Sequence, residues 1–325
     1  MTDAPAASGS PDSPDSPLAE EFFQLQHRFD PLNATLLGLT EFDGLLPDLR
    51  RSAELAAADA FARVSSAADA LVPTSDRESV DRAVLTWMAR SAAEDARHGL
   101  WDANASAAGY VSPQALVFQA VPATPLPDDA ARSALVRRLG GLAAHFDAVG
   151  DRYRDAAAAG RVSTAVGIRQ AAAQLETYLA RPVDEDVLLP VALLDRRAEA
   201  SAIVEQQVRP AMARLAALLR TELLPGARGD DAVGISAVPG GVEGYRAAVA
   251  RHTSLDLTPE QIHQTGLDVL EELREQWSGI GQEAFGLSDP TEIRARLRSD
   301  PALRFETREQ IVEVEAQREI GRAHV

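Results

Sequence analysis

Residues Gly240 to Leu270 read GGVEGYRAAVARHTSLDLTPEQIHQTGLDVL. The stretch parses as a Gly-rich loop, a helix, a short break and a second, capped helix. Thr258-Pro259-Glu260-Gln261 is a strong helix start: Thr258 caps, Pro259 suits the first turn, and Gln261 reaches back to close a capping box. Ile262, Gly266, Val269, Leu273 and Trp277 then recur on one apolar stripe. Gly266 costs about 1 kcal/mol relative to Ala in mid-helix, a cost that the close approach of another helix on a buried face would offset. His263 reads as a half-buried structural histidine. His252, after Tyr245 and Arg251, reads either as cleft-facing or as a helix-end histidine favoured by the dipole.

Outward from this block, helix signals dominate in both directions. Asp289-Pro290 and Thr307-Arg308-Glu309-Gln310 open two further helices. Upstream, Leu224 to Gly244 is the longest Gly- and Pro-rich loop and reads as a junction between subdomains. Before it, Val204, Val208, Met212, Leu215 and Leu219 line one stripe, with Pro210 kinking or restarting the helix. Leu135, Leu139, Leu142 and Phe146 mark a long helix. Leu55, Phe61, Val64, Ala68 and Leu71 mark another, and Ser75 to Glu78 forms a capping box ahead of Val80, Val84, Trp87 and Ser91. Ser16-Pro17 and Ser112-Pro113 are helix starts, Asp30-Pro31 is a break, and Val121 to Asp129 is a Pro-rich connector. Short β-like pieces such as Val117 to Val121 do not add up to a sheet. The fold class is all-α, with residues 1–16 a disordered arm, 17–224 an N-terminal helical region and 225–318 the start of a further helical region.

Composition narrows the chemistry. The 325 residues are 46% hydrophobic and only 5% aromatic, with a net charge of −17. All 32 basic residues are Arg. A chain without Lys forms no Schiff base, and the acidic balance argues against nucleic acid as a partner. Cys is absent, which removes disulfides, thiolate metal sites and Cys nucleophiles. No apolar run reaches the ~20 residues of a membrane span, and the N-terminus MTDAPAASGSPDSPDSP lacks the regions of a signal peptide. The expectation is a cytoplasmic protein that does not meet a membrane.

Three segments resemble the domain of unknown function 885 family of bacteria. They are DPLNATLLGLTEFD (Asp30 to Asp43), the Gly240 to Leu270 block, and DPALRFETREQIV (Asp300 to Val312). The resemblance implies a large helical fold of the gluzincin-like metallopeptidase kind. It also implies a downstream His-Glu-x-x-Pro-Gly-His helix that, with a later Glu, holds zinc, and a peptide substrate. Two His on one helical face bind the metal, and the adjacent Glu activates a water.

This chain departs from that pattern. Its six His are His27, His98, His145, His252, His263 and His324; none precedes a Glu, and no two have zincin spacing. The closing peptide, Glu319 to Val325 (EIGRAHV), reads like a translated sequencing adapter. The expectation is therefore an N-terminal fragment of a zinc-dependent peptidase or amide hydrolase, truncated near Arg318 and inactive alone. It has no catalytic residue, metal ligand or cofactor of its own, and zinc and peptide substrate belong to the full-length protein. Tyr245, Arg251 and His252 are the candidates to face the substrate. The alternative is a non-catalytic helical protein that binds a partner or serves as a scaffold.

Overall fold

Asp30 ends one helix and starts the next. Its side chain accepts the Asn33 backbone N–H at 3.2 Å, and Pro31 takes the first helical position. That joint separates α1 (Ser16–Phe29) from α2 (Pro31–Leu36). The computed structural model describes residues 16–109 and 112–322. Apart from Ser16, the expected arm at residues 1–16 lies outside them, as do the final three residues of the expected adapter peptide. Among the described residues there is no strand, only one isolated bridge between Thr164 and Arg228. Val117 to Val121 lies within a helix, because the run opened by Ser112-Pro113 continues to Ala123. No helix among the described residues is long and apolar enough to cross a membrane.

The chain divides into two compact units, residues 1–255 and 256–325. In the first, α3 (Arg51–Asp69) and α4 (Asp76–His98) form a helical hairpin beside α1. Its core combines Phe22, Phe61 and Val64 with the small residues Ala68, Ala89 and Ala93. Val80 and Val84, which sequence places on the apolar stripe of α4, are exposed, and the buried face is Leu85, Ala89, Ala93 and Ala96. The interface uses alanines because they let the two helices approach closely, whereas side-chain size alone points to the wrong face. Leu55 of α3 is likewise exposed, and Glu54 beside it is buried.

The larger core surrounds α6 (Asp129–Ala158), on which Leu135, Leu139, Leu142 and Phe146 are completely buried. Against it pack α5 (Pro113–Ala123), α7 (Ala165–Leu179), α8 (Arg197–Ile203) and α9 (Arg209–Leu218). Two π-helical turns, Val204–Val208 and Leu219–Leu223, flank α9. Pro210 donates no N–H, and the widened turn just before it takes up the break in the ladder.

Arg138 of α6 is completely buried. It donates to the carbonyls of Leu45 (2.9 Å), Phe42 (2.7 Å) and Pro31 (3.3 Å) and to Thr35 Oγ1 (2.8 Å). It thereby pins α2 and the following segment onto α6. Burial lowers its pKa to about 10, opposed by nearby Asp43.

The loop from Leu224 to Gly244 is tied into the first unit. Arg228 exchanges backbone hydrogen bonds with the 163–165 segment, and its side chain holds the carbonyls of Val162 (2.6 Å), Ala232 (2.5 Å) and Gly234 (2.8 Å). This unit closes with α10 (Gly241–Thr253).

The second unit holds α11 (Pro259–Phe285), α12 (Pro290–Ser299) and α13 (Arg308–Arg322). The expected caps are present. Thr258 Oγ1 accepts from Gln261 N at 3.2 Å while the Gln261 side chain accepts from Thr258 N at 2.8 Å, and Asp289 caps α12. The stripe expected to be buried on α11 is not: Val269, Leu273 and Trp277 are 45%, 44% and 38% exposed. Nothing approaches Gly266, and His263 is exposed. The helix approach occurs instead at Gly281, where an added Cβ would lie 2.1 Å from Ile293 Cδ1 of α12 and 2.7 Å from the Leu287 carbonyl oxygen.

The two glycines therefore respond oppositely to the same change. Gly266→Ala raises stability by about 0.5–1 kcal/mol, the intrinsic gain of Ala in a helix. Gly281→Ala lowers it by about 1–3 kcal/mol through overpacking. Urea unfolding followed by circular dichroism separates the two; equal effects would contradict the packing described.

Candidate functional site

The first unit contains a cavity of about 740 Å³. Its floor is set by Glu54, 3% exposed on the inner face of α3. The Glu54 carboxylate accepts from Trp101 Nε1 (2.6 Å), Arg51 Nη1 (2.8 Å) and Arg152 Nη2 (2.9 Å). Arg152 also binds Asp102 Oδ2 (2.8 Å) and the Leu49 carbonyl (2.5 Å), and its guanidinium lies 4.7 Å from the centre of the Trp101 ring. Asp102 Oδ1 is held in turn by Arg161. The result is an alternating line of charge, Arg51–Glu54–Arg152–Asp102–Arg161. Burial alone would lower the Arg152 pKa, but the hydrogen bonds to Asp102 and Glu54 hold it above the ordinary value.

The ends of this line also finish α4. Arg51 takes the carbonyls of Ala96 and Arg97, and Arg161 takes those of His98 and Gly99. Four carbonyls at a helix C-terminus are thus satisfied by cations, which also suits the dipole.

Asp30, Asp48 and Leu49 form one wall, and Ser112, Pro113 and Leu116 another. The roof is α10, which contributes Tyr245, Ala248 and Arg251. Gly244 makes this placement possible: a Cβ there would meet Leu100 Cδ1 at 2.5 Å, so only glycine lets α10 settle onto the end of α4. Of the residues expected to face a substrate, Tyr245 lines the cavity and is 44% exposed. Arg251 also lines it, paired through Nη1 with Asp95 at 2.5 Å. Its Nε is buried without a hydrogen-bond partner among the described residues. His252 is exposed and not part of the cavity lining; its Nε2 lies 3.4 Å from Arg251 Nη2. Among the described residues, no three His, Asp or Glu side chains converge in a way that would hold a metal ion.

The family model for "Bacterial protein of unknown function (DUF885)" matches residues 31–324. The chain belongs to this family. A solved structure described as "the putative lipoprotein from Colwellia psychrerythraea" matches the DUF885 chain with a TM-score of 0.78 at 17% identity, which is a likeness of fold. The match covers 94% of this chain and 58% of that one, so this chain spans a little over half the length of that solved relative. No curated protein matches it.

The charged floor of this DUF885 chain is invisible to local sequence patterns. Glu54, Trp101, Asp102, Arg152 and Arg161 come from distant positions, and none lies in the Gly240 to Leu270 block. The one local signal was a Glu four residues before Ala58 on the buried face of α3. His145 was also passed over. It is buried on α6, with Nε2 3.4 Å from the Pro113 carbonyl oxygen and Nδ1 unpartnered. Burial lowers its pKa to about 4, only partly opposed by the Pro113 contact.

Two measurements test this arrangement. Arg152→Met leaves two buried carboxylates short of a partner and costs about 3–5 kcal/mol, read as a lower urea midpoint. For His145, between pH about 6.5 and about 4 the unfolded chain binds a proton that the folded chain does not. Stability therefore falls as pH drops through that window, by on the order of 3 kcal/mol. His145→Gln flattens that part of the stability profile; an unchanged slope would contradict the assignment.

Proposed function

We propose that this chain supplies the N-terminal helical part of a zinc-dependent peptidase or amide hydrolase, including one wall of its substrate cleft, and has no hydrolytic activity alone. The observation that carries this reading is the cavity of about 740 Å³ roofed by Tyr245 and Arg251, both from the helix whose sequence marks the family. A pocket of this size, largely apolar with a few convergent polar groups, suits a small ligand or a peptide end. The partial coverage of the solved relative is in keeping with a longer working protein.

The described residues do not fit a zinc ion. No metal-holding cluster is present among them, and the floor carboxylates Glu54 and Asp102 are committed to Arg51, Arg152 and Arg161. On this reading the metal ligands come from sequence outside this chain, and no catalytic step is assigned to residues within it. The full pairing of the floor equally favours a second reading, a non-catalytic helical module that binds a partner in the same cavity.

Metal analysis and peptide hydrolysis on two proteins decide between them: the 325-residue chain and the product of a gene that continues past Arg318. The expected outcome is stoichiometric zinc and peptide cleavage in the longer product and neither in this chain. In the longer product, Arg251→Met lowers kcat/KM by roughly tenfold, mainly through KM. A longer product that cleaves peptides without metal, or one that neither binds zinc nor cleaves, overturns the proposal.

A further inference from the structure

One carboxylate of the cavity differs from the rest. Asp48 is paired with Arg50, Glu54 with Arg51 and Arg152, and Asp95 with Arg251. Asp30 has no Arg partner among the described residues. One of its oxygens accepts the 3.2 Å hydrogen bond from Asn33 N, and the charge that favours its ionised form is His27, on the preceding turn. Burial holds the Asp30 carboxyl above its usual range. A carboxylate withdrawn from water with one long hydrogen bond and no cation is costly. Asp30 also follows the last turn of α1, whose carbonyl end carries partial negative charge.

The remaining wall selects the kind of cation. A metal ion would need several free oxygen ligands, but the other carboxylates here already hold guanidinium groups. The indole of Trp101, the ring of Tyr245 and the side chains of Leu32, Leu49 and Leu116 present apolar surface instead. An ion with an apolar body meets both halves of such a wall.

We propose that the cavity binds an organic cation, a primary ammonium or guanidinium group on an apolar body, with Asp30 as its counter-ion. The inference rests on reading the cavity as part of a substrate cleft. It then makes the charged end of a peptide, its amino terminus or a basic side chain, the part held at this wall.

The test is calorimetric titration of the 325-residue chain with phenethylamine and with its neutral analogue phenethyl alcohol. Saturable binding of the amine, weaker for the alcohol by roughly tenfold or more, is expected. Asp30→Asn removes the charge but keeps a residue that caps α2 equally well, and it weakens amine binding by roughly tenfold or more. Ala248→Phe, in the cavity roof, abolishes binding by filling the space. Equal affinity for amine and alcohol overturns the inference, as does undiminished amine binding in either variant, or no binding to a chain that melts cooperatively. If Asp30→Asn fails to fold, the alcohol comparison and Ala248→Phe decide. None of these readouts needs zinc or bond cleavage. A longer gene product that fails to cleave peptides overturns the proposed function and leaves this assignment standing.

Discussion

Arg152 sits where four parts of the first unit meet. Its guanidinium reaches Glu54 on α3, Asp102 in the turn after α4, the carbonyl of Leu49 ahead of α3, and the face of Trp101. A buried ion pair is not in itself a strong source of net stability, because desolvating the charges consumes most of the attraction. What it does fix is position. The planar, five-donor guanidinium satisfies several acceptors in only one geometry, so α3, the end of α4 and α6 are held in one register. The apolar cores could tolerate small slips between helices; this line of charge does not.

The same device recurs elsewhere in the unit. Arg138 gathers the carbonyls of Pro31, Phe42 and Leu45. Arg209 bonds Asp186 while stacking near Tyr178, which itself donates to Asp186 at 2.6 Å. In a chain whose only basic side chain is Arg, non-helical segments are fastened to helices by guanidinium groups gripping backbone carbonyls. The cavity inherits a rigid floor from this. Its roof is held more lightly, by the seat of Gly244 on Leu100 and the Arg251–Asp95 pair.

Features governed by neighbours in sequence were legible before the structure. The caps at Thr258 and Asp289, the break at Asp30-Pro31 and the long apolar stripe of α6 all depend on spacings of four residues or fewer, and all are present. Ser75 does accept from Glu78 N, but the Glu78 carboxylate turns back one residue further, to Thr74. Features that depend on distant partners were not legible. Glu54 and Arg152 are ordinary charged residues until folding brings them together. The alanines of α4 look like filler until α3 lies against them. Tyr245 and Arg251 were singled out by family likeness, and the cavity they roof owes most of its lining to other segments.

The π-helical turns beside α9 act as phase shifters. Each residue of an α-helix carries about 100° of rotation, so one added residue in a turn re-aims everything beyond it. Val204, Val208, Met212, Leu215 and Leu219 all lie buried although the rod passes through two widened turns and a proline. The irregularity thus keeps both ends of the rod facing the core. A single-residue deletion within Val204–Val208 would regularise the helix while swinging the downstream face away from its partner, so the segment is more sensitive to length than to side-chain identity.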